Sequence, residues 1–224
     1  MLAPLLTARG DEVHTPDLPG HGQNPLELAN ISINVYSRYI SQYIDNIGKK
    51  VILVGHSMSG MVISKVAEQS PELIQRLIYL SAYLPANGQS LFDLIQSNKE
   101  ALNTAPIELA MQMSEDKRSC SISTASIGPL FYNRCDKGFI PTSFPPQATL
   151  PLSGKVTLTE EGFGRVVKTY ICCQDDQVIP VAHQRHMLKG QACNEMVQLD
   201  CDHSPFYSCP EVLAAVLHSA SLPV

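Results

Sequence analysis

Apolar residues in the first third of the chain follow two different spacings. Between residues 32 and 47 they recur every three or four positions, which predicts an amphipathic helix. Residues 51–54 and 77–80 are instead short, unbroken apolar runs, typical of strands covered on both faces of a sheet. The second strand is predicted over 77–81. A buried helix is predicted between these runs, from Met61 to about Gln69. A helix over residues 2–9 that ends at Gly10 and a short strand over 11–15 complete this half of the pattern.

The middle of the chain interrupts this alternation. Prolines at 85, 106, 129, 141, 145, 146 and 151 divide residues 82–161 into short helical pieces and turns, with no strong strand before Lys155. Strand and helix then alternate again, with strands over 165–173 and 196–199 and helices over 180–190 and 210–219. The sequence therefore predicts an α/β fold, with a mostly parallel sheet and helices on both faces. The core would comprise residues 1–81 and 162–224, and residues 82–161 would form an inserted helical cap.

Composition and charge exclude several classes of partner. Sixteen basic and twenty-one acidic residues give a net charge of −5, and no basic block suggests a nucleic-acid partner. No apolar run approaches the roughly 18–20 residues of a membrane helix, so we expect no membrane partner. The seven cysteines are odd in number and include the adjacent Cys172 and Cys173, which favours reduced thiols in the cytoplasm. His183 and His186 lie one helical turn apart without a second ligand cluster, so we predict no metal site and no cofactor.

A candidate nucleophile follows the first apolar run. Ser57 is flanked by Gly55 two positions before it and by Ser59 two positions after it, and Gly60 comes next. A serine at a sharp strand-to-helix turn needs small residues at these positions, because the two backbones crowd there. The alternative is a glycine-containing turn in which Ser57 only caps the helix.

A serine nucleophile also needs a base and an acid. His203 comes just after the last predicted strand, where a loop can bring it over the carboxyl edge of the sheet; the alternative is a surface histidine. The acid should follow the strand over 165–173, which offers Asp175 and Asp176. Both could instead be turn or cap residues for the next helix. The order serine, aspartate, histidine is that of the α/β-hydrolases.

Six stretches carry a more specific resemblance, which spans residues 1 to about 217: residues 15–22 (TPDLPGHG), 54–60 (VGHSMSG), 80–90 (LSAYLPANGQS), 131–135 (FYNRC), 176–180 (DQVIP) with Gln184 and Arg185, and 202–208 (DHSPFYS). The chain resembles the α/β-hydrolases of the group that contains plant methylesterases, hydroxynitrile lyases and bacterial esterases. The resemblance implies Ser57 as nucleophile, His203 as base and Asp176 rather than Asp175 as acid. It also implies the Met58 backbone N–H as an oxyanion donor and residues 82–161 as a lid.

The chain departs from this group at two places. Ser59 stands where the group usually has glycine, and a serine is small enough for the effect to be mild. The group also has a strand ending in His-Gly, with a loop that supplies a second oxyanion donor, before the helix that ends here at residues 5–10. The resemblance therefore implies roughly 20–30 further N-terminal residues in the native protein. Without them we expect a gap in the sheet between residues 12–15 and 51–54.

The expected activity is hydrolysis of a small to medium apolar carboxylic ester through an acyl-enzyme. One alternative is a hydroxynitrile lyase, but the lyases of this group that use the serine as base have lysine after the catalytic histidine, where this chain has Ser204. A second alternative is a non-catalytic protein that binds a small ligand. A homodimer is compatible with the sequence, which does not determine the oligomeric state.

Overall fold

A computed structural model describes residues 2–102 and 106–221. Its α-helices in chain order are α1 Leu2–Thr7, α2 Ile33–Ile47, α3 Ser59–Gln69, α4 Leu91–Leu102, α5 Pro106–Ala110, α6 Thr124–Phe131, α7 Leu150–Ser153, α8 Val181–Gly190, α9 Pro205–Ser208 and α10 Pro210–Ser221. Its strands are β1 Val51–His56, β2 Ile74–Leu80, β3 Met111–Met113, β4 Ser119–Ile122, β5 Gln147–Ala148, β6 Lys168–Cys173 and β7 Glu195–Leu199. Residues 103–105, which fall inside the expected cap, lie outside the described residues.

The main sheet is parallel, as its apolar strands predict. Its strand order is β1-β2-β6-β7, with Leu77 opposite Leu53 on one side and Lys168 on the other. Alternate residues of β2 enter two different cores. Leu77 and Tyr79 pack with α2 and α3, whereas Ile78 and Leu80 pack with α1 and α10. Helices therefore cover both faces, which confirms the predicted fold class.

Helix α2 has the clearest apolar stripe, and local contacts fix both of its ends. The Ser32 hydroxyl oxygen accepts a hydrogen bond from the Val35 N–H at 3.3 Å at the start of α2. Gly48 ends the helix with a φ of 72°, in the left-handed region that favours glycine. The stripe then buries Tyr36, Ile40 and Ile44 against the main sheet and α3.

The sequence predicted only short helical pieces and turns for residues 82–161, but the structure also contains strands there. Strands β3, β4 and β5 form a small antiparallel sheet in this segment. The turn between β3 and β4 is closed by Asp116, whose carboxylate accepts hydrogen bonds from the Arg118 N–H and the Ser114 hydroxyl. These strands contain two to four residues each, too few for an alternating pattern to show.

The strand predicted over residues 11–15 does not form. These residues are irregular, and an apolar cavity of about 700 Å³ separates them from β1. A strand needs a neighbour for its backbone N–H and C=O groups, and in the described part of the chain nothing pairs with this segment. The gap expected between residues 12–15 and 51–54 is thus present. The gap also leaves Val54 42% exposed. The apolar composition of β1 predicted a strand covered on both faces, and that prediction is wrong at this position.

None of the helices in the described ranges is long and apolar enough to cross a lipid bilayer.

Candidate active site

Ser57 lies between β1 and α3, at the carboxyl edge of the main sheet. Its φ of 55° is positive, which costs a residue with a Cβ atom conformational energy. The turn is tight: a Cβ atom at Gly60 would lie 2.1 Å from the Tyr83 carbonyl oxygen, and one at Gly55 would lie 2.9 Å from the Ser59 carbonyl oxygen. Glycine at positions 55 and 60 is therefore required by backbone crowding.

The backbone around Ser57 is held by its neighbours. Its carbonyl oxygen accepts hydrogen bonds from the Tyr83 N–H at 3.0 Å and the Gly60 N–H at 3.2 Å. Met58 has helical dihedral angles and directly precedes α3. Within the described residues, no protein acceptor binds the Met58 N–H. Such a group at a helix N-terminus favours negative charge nearby.

His203 and Asp176 meet above the ends of β6 and β7. The His203 Nδ1 and Asp176 Oδ2 atoms are 2.6 Å apart, and the two residues are 1% and 2% exposed. Asp176 Oδ1 accepts hydrogen bonds from the Val178 N–H at 2.7 Å and the Ile179 N–H at 2.8 Å. These donors stabilise the ionised carboxylate. The structure therefore brings together the histidine and the second of the two aspartates that the sequence offered.

Asp175 occupies a different environment. Its side chain accepts hydrogen bonds from the Asn133 amide at 3.1 Å and the Gln177 amide at 3.0 Å, both on the protein surface. It therefore structures the loop rather than reaching His203.

The structure does not join Ser57 to His203 by a hydrogen bond. His203 Nε2 is buried and has no hydrogen-bond partner among the described residues. The two residues are nevertheless linked through His56, which precedes Ser57. The His56 and His203 rings lie 4.5 Å apart, and His56 Nε2 donates to the His203 carbonyl oxygen at 2.8 Å.

His56 is neutral near pH 7. Burial, together with the nearby His203 ring, lowers the pKa of His56 to about 3. A neutral imidazole has one N–H to donate, and the His203 carbonyl oxygen fixes it on Nε2.

Ser81 is a site residue that sequence reasoning missed. It is fully buried directly after β2, has a φ of 38°, and its hydroxyl donates to Asp176 Oδ2, the atom that also faces His203. Its position after the last apolar residue of a central strand was the available signal, because such positions face the carboxyl edge of the sheet.

Aromatic rings surround the histidine. The Phe131 ring lies 5.4 Å from the His203 ring in an edge-to-face arrangement and contacts Phe144 in the same way at 5.0 Å. Both phenylalanines come from the 82–161 segment. The described residues contain no group of three or more histidine, cysteine or carboxylate side chains that could hold a metal ion.

A strained serine at a strand-to-helix turn and a buried histidine–aspartate pair thus lie at the carboxyl edge of a parallel sheet, an arrangement typical of α/β-hydrolases. Residues 1–216 match the model of the alpha/beta hydrolase family, and the chain belongs to that family.

Curated relatives include esterases. The chain is 29% identical over 224 residues to a putative chloroplastic methylesterase, number 13, of Arabidopsis thaliana, covering 95% of this chain and 50% of the relative. It is 31% identical over 228 residues to the pyrethroid hydrolase of Sphingobium wenxiniae, covering 96% of this chain and 80% of the relative. The chain thus spans about half the length of that methylesterase and four-fifths of the pyrethroid hydrolase.

Solved structures agree with the fold. A pyrethroid hydrolase from Sphingobium faniae superposes with a TM-score of 0.84 at 28% identity, covering 97% of this chain and 89% of that one. A polyneuridine aldehyde esterase superposes with a TM-score of 0.87 at 24% identity, covering 99% and 92%; this second likeness supports the fold alone.

Proposed function

We propose that the protein is a serine carboxylic-ester hydrolase. The observation that carries the proposal is the buried 2.6 Å contact between His203 Nδ1 and Asp176 Oδ2, which is linked through His56 to a serine with positive φ between β1 and α3. A serine hydroxyl attacks a carbonyl only when a base removes its proton, and the base needs a partner that fixes its tautomer. The methylesterase and pyrethroid hydrolase relatives support the same reaction class.

The reaction proceeds in two halves. Ser57 Oγ attacks the ester carbonyl carbon while His203 Nε2 takes the hydroxyl proton, and Asp176 stabilises the resulting imidazolium. The Met58 N–H donates to the oxyanion. The intermediate collapses as His203 returns the proton to the leaving alcohol, which leaves an acyl group on Ser57. Water, deprotonated by His203, then releases the carboxylic acid and restores the serine.

The substrate is a small to medium apolar ester. Phe131, which lies against His203, and Phe144, which packs on Phe131, support this proposal, since aromatic rings favour apolar acyl or alcohol groups. Both rings come from residues 82–161, so we propose that this segment is the cap over the substrate. No observation in the structure favours the lyase alternative.

We propose that the protein is cytoplasmic. The seven cysteines, all in the described residues, are free thiols, as in proteins of reducing compartments. The homodimer stays a prediction.

The proposal is tested by hydrolysis of p-nitrophenyl acetate and butyrate. We expect Ser57→Ala to lower kcat by a factor on the order of 10⁴ or more, because the nucleophile is lost. Ser59→Ala, two residues away, serves as the matched control and should retain activity. A fluorophosphonate probe should label the protein once, at Ser57, as located by peptide mass spectrometry. Hydrolysis that survives Ser57→Ala unchanged would refute the serine mechanism.

A further inference from the structure

Three residues that follow α6 bind both loops on which the histidine–aspartate pair lies. The Asn133 amide donates to the carbonyl oxygen and to Oδ2 of Asp175, both at 3.1 Å, in the loop after β6. The Arg134 N–H and the Cys135 thiol donate to Oδ2 of Asp202, at 3.0 and 3.3 Å, in the loop after β7. Residues 133–135 therefore contact the neighbour of Asp176 on one loop and the neighbour of His203 on the other.

Asp202 is the centre of this arrangement. It is fully buried, and its Oδ1 atom accepts hydrogen bonds from the Ser204 N–H at 3.0 Å and the Ser208 hydroxyl at 2.7 Å. Four donors thus compensate for the burial of one carboxylate, which would otherwise be costly. Burial and the bond to Asp202 raise the pKa of the Cys135 thiol to about 12, so it keeps its proton and remains a donor.

These contacts fix the backbone on both sides of His203. Asp202 precedes the histidine, and the Ser204 N–H that Asp202 binds follows it. Asp202 has no hydrogen bond to the imidazole, and its contacts are instead with the chain on either side of His203 and with residues 133–135. The same segment also reaches the ring directly, because Phe131, two residues before Asn133, packs edge-on against it at 5.4 Å.

We propose that Asp202 and residues 133–135 position the acid and the base for each other, so that the 82–161 segment sets the alignment of the catalytic pair. This proposal rests on the proposed function for its kinetic consequence, but its structural content can be measured separately. Asp202 and Asn133 are positioning residues, since they act through the two loops.

Asp202→Asn tests the proposal, because it keeps the volume of the side chain and replaces one acceptor oxygen with a donor. We expect kcat for p-nitrophenyl butyrate to fall at least about tenfold while KM changes little, since misplacing a reacting group by about 1 Å costs up to about 10²-fold. We also expect the downfield ¹H NMR signal of the His203 Nδ1–H proton, which reports its hydrogen bond to Asp176, to weaken or shift. Asp116→Asn is the matched control, a surface carboxylate of the same segment, and should leave both measurements unchanged.

A second variant covers the case in which Asp202→Asn does not fold, as judged by circular dichroism. Asn133→Ala removes only the two bonds to Asp175 and should lower kcat a few-fold with a smaller change in the NMR signal. A folded Asp202→Asn or Asn133→Ala protein with wild-type kcat and an unchanged signal would overturn the proposal. If the wild type hydrolyses no ester but the signal still depends on Asp202, the positioning proposal is supported and the proposed function fails.

Discussion

His56 shows how a side chain next to the candidate nucleophile can act through its protonation state. It is neutral in the folded protein because burial and the His203 ring lower its pKa to about 3. In the unfolded chain it titrates near its ordinary value of 6.5. Above pH 6.5 His56 is neutral in both the folded and the unfolded protein, so its ionisation does not change the free energy of unfolding. As pH falls from 6.5 to about 3, only the unfolded chain takes up the proton, so stability is lost over this window.

His56→Gln should therefore flatten the pH dependence of stability. The glutamine amide can replace the Nε2 donor to the His203 carbonyl oxygen, but it does not titrate. We expect the wild type to lose up to about 1.4 kcal/mol per pH unit more than the variant between pH 6.5 and 4, measured by urea unfolding. His186→Gln, on α8, controls for the loss of a histidine as such. Parallel curves for wild type and His56→Gln would contradict this account.

The sequence predicted individual residues where one local requirement identifies them. Crowding at a strand-to-helix turn made Ser57 the candidate nucleophile, and the position after a late strand made His203 the candidate base. The local pattern left Asp175 and Asp176 open, because both follow the same strand, and only the family resemblance favoured Asp176. Ser81 and His56 were not assigned roles, since their hydrogen bonds join residues that are 95 and 147 positions apart in the chain.

At the scale of elements, α3 depends on its close approach to the chain after β2. The Tyr83 carbonyl oxygen lies only 2.1 Å from the position that a Cβ atom at Gly60 would take. Helices and strands with a long or strongly apolar pattern were predicted to within a few residues. The strand predicted over 11–15 does not form, and the small β3-β4-β5 sheet was not predicted. Both errors arise because a short strand depends on a partner that its own residues do not specify.

Two glycine-to-alanine substitutions distinguish the effect of backbone crowding on stability from that of helix propensity. Gly60→Ala should lower the free energy of unfolding by about 1–3 kcal/mol, because the backbone at Tyr83 must move. Gly190→Ala, at the end of α8 with no atom within 4 Å of its Cβ position, should instead be neutral or stabilise by up to about 1 kcal/mol. Thermal melts monitored by circular dichroism compare the two. Equal effects would show that the contact with Tyr83 is not tight.

At the scale of the whole molecule, the main sheet is unevenly supported. Strands β2 and β6 each pair on both sides, whereas β1 pairs only with β2 in the described part of the chain and otherwise faces the apolar cavity. Alternate residues of a strand direct their backbone groups to opposite sides. Half of the β1 groups that could join a ladder therefore face no strand.

Hydrogen exchange should detect this difference. We expect amides in the peptide covering residues 51–56 to exchange faster on average than those covering 168–173, because unpaired amides exchange without global unfolding. Mass spectrometry of peptic fragments after timed deuteration measures both in one experiment. Equal protection of the two strands would mean that the side of β1 facing the cavity is paired in solution.

The hydrogen bonds of residues 133–135 have a consequence for chimaeric proteins. Consider a chimaera in which residues 82–161 come from a relative and the rest of the chain from this protein. Its donors to Asp175 and Asp202 would then come from the relative. Those acceptors lie in loops that such a chimaera inherits from the other parent. The transferable module is therefore the segment together with the loops after β6 and β7, and crossover points should be chosen to keep all three from the same parent.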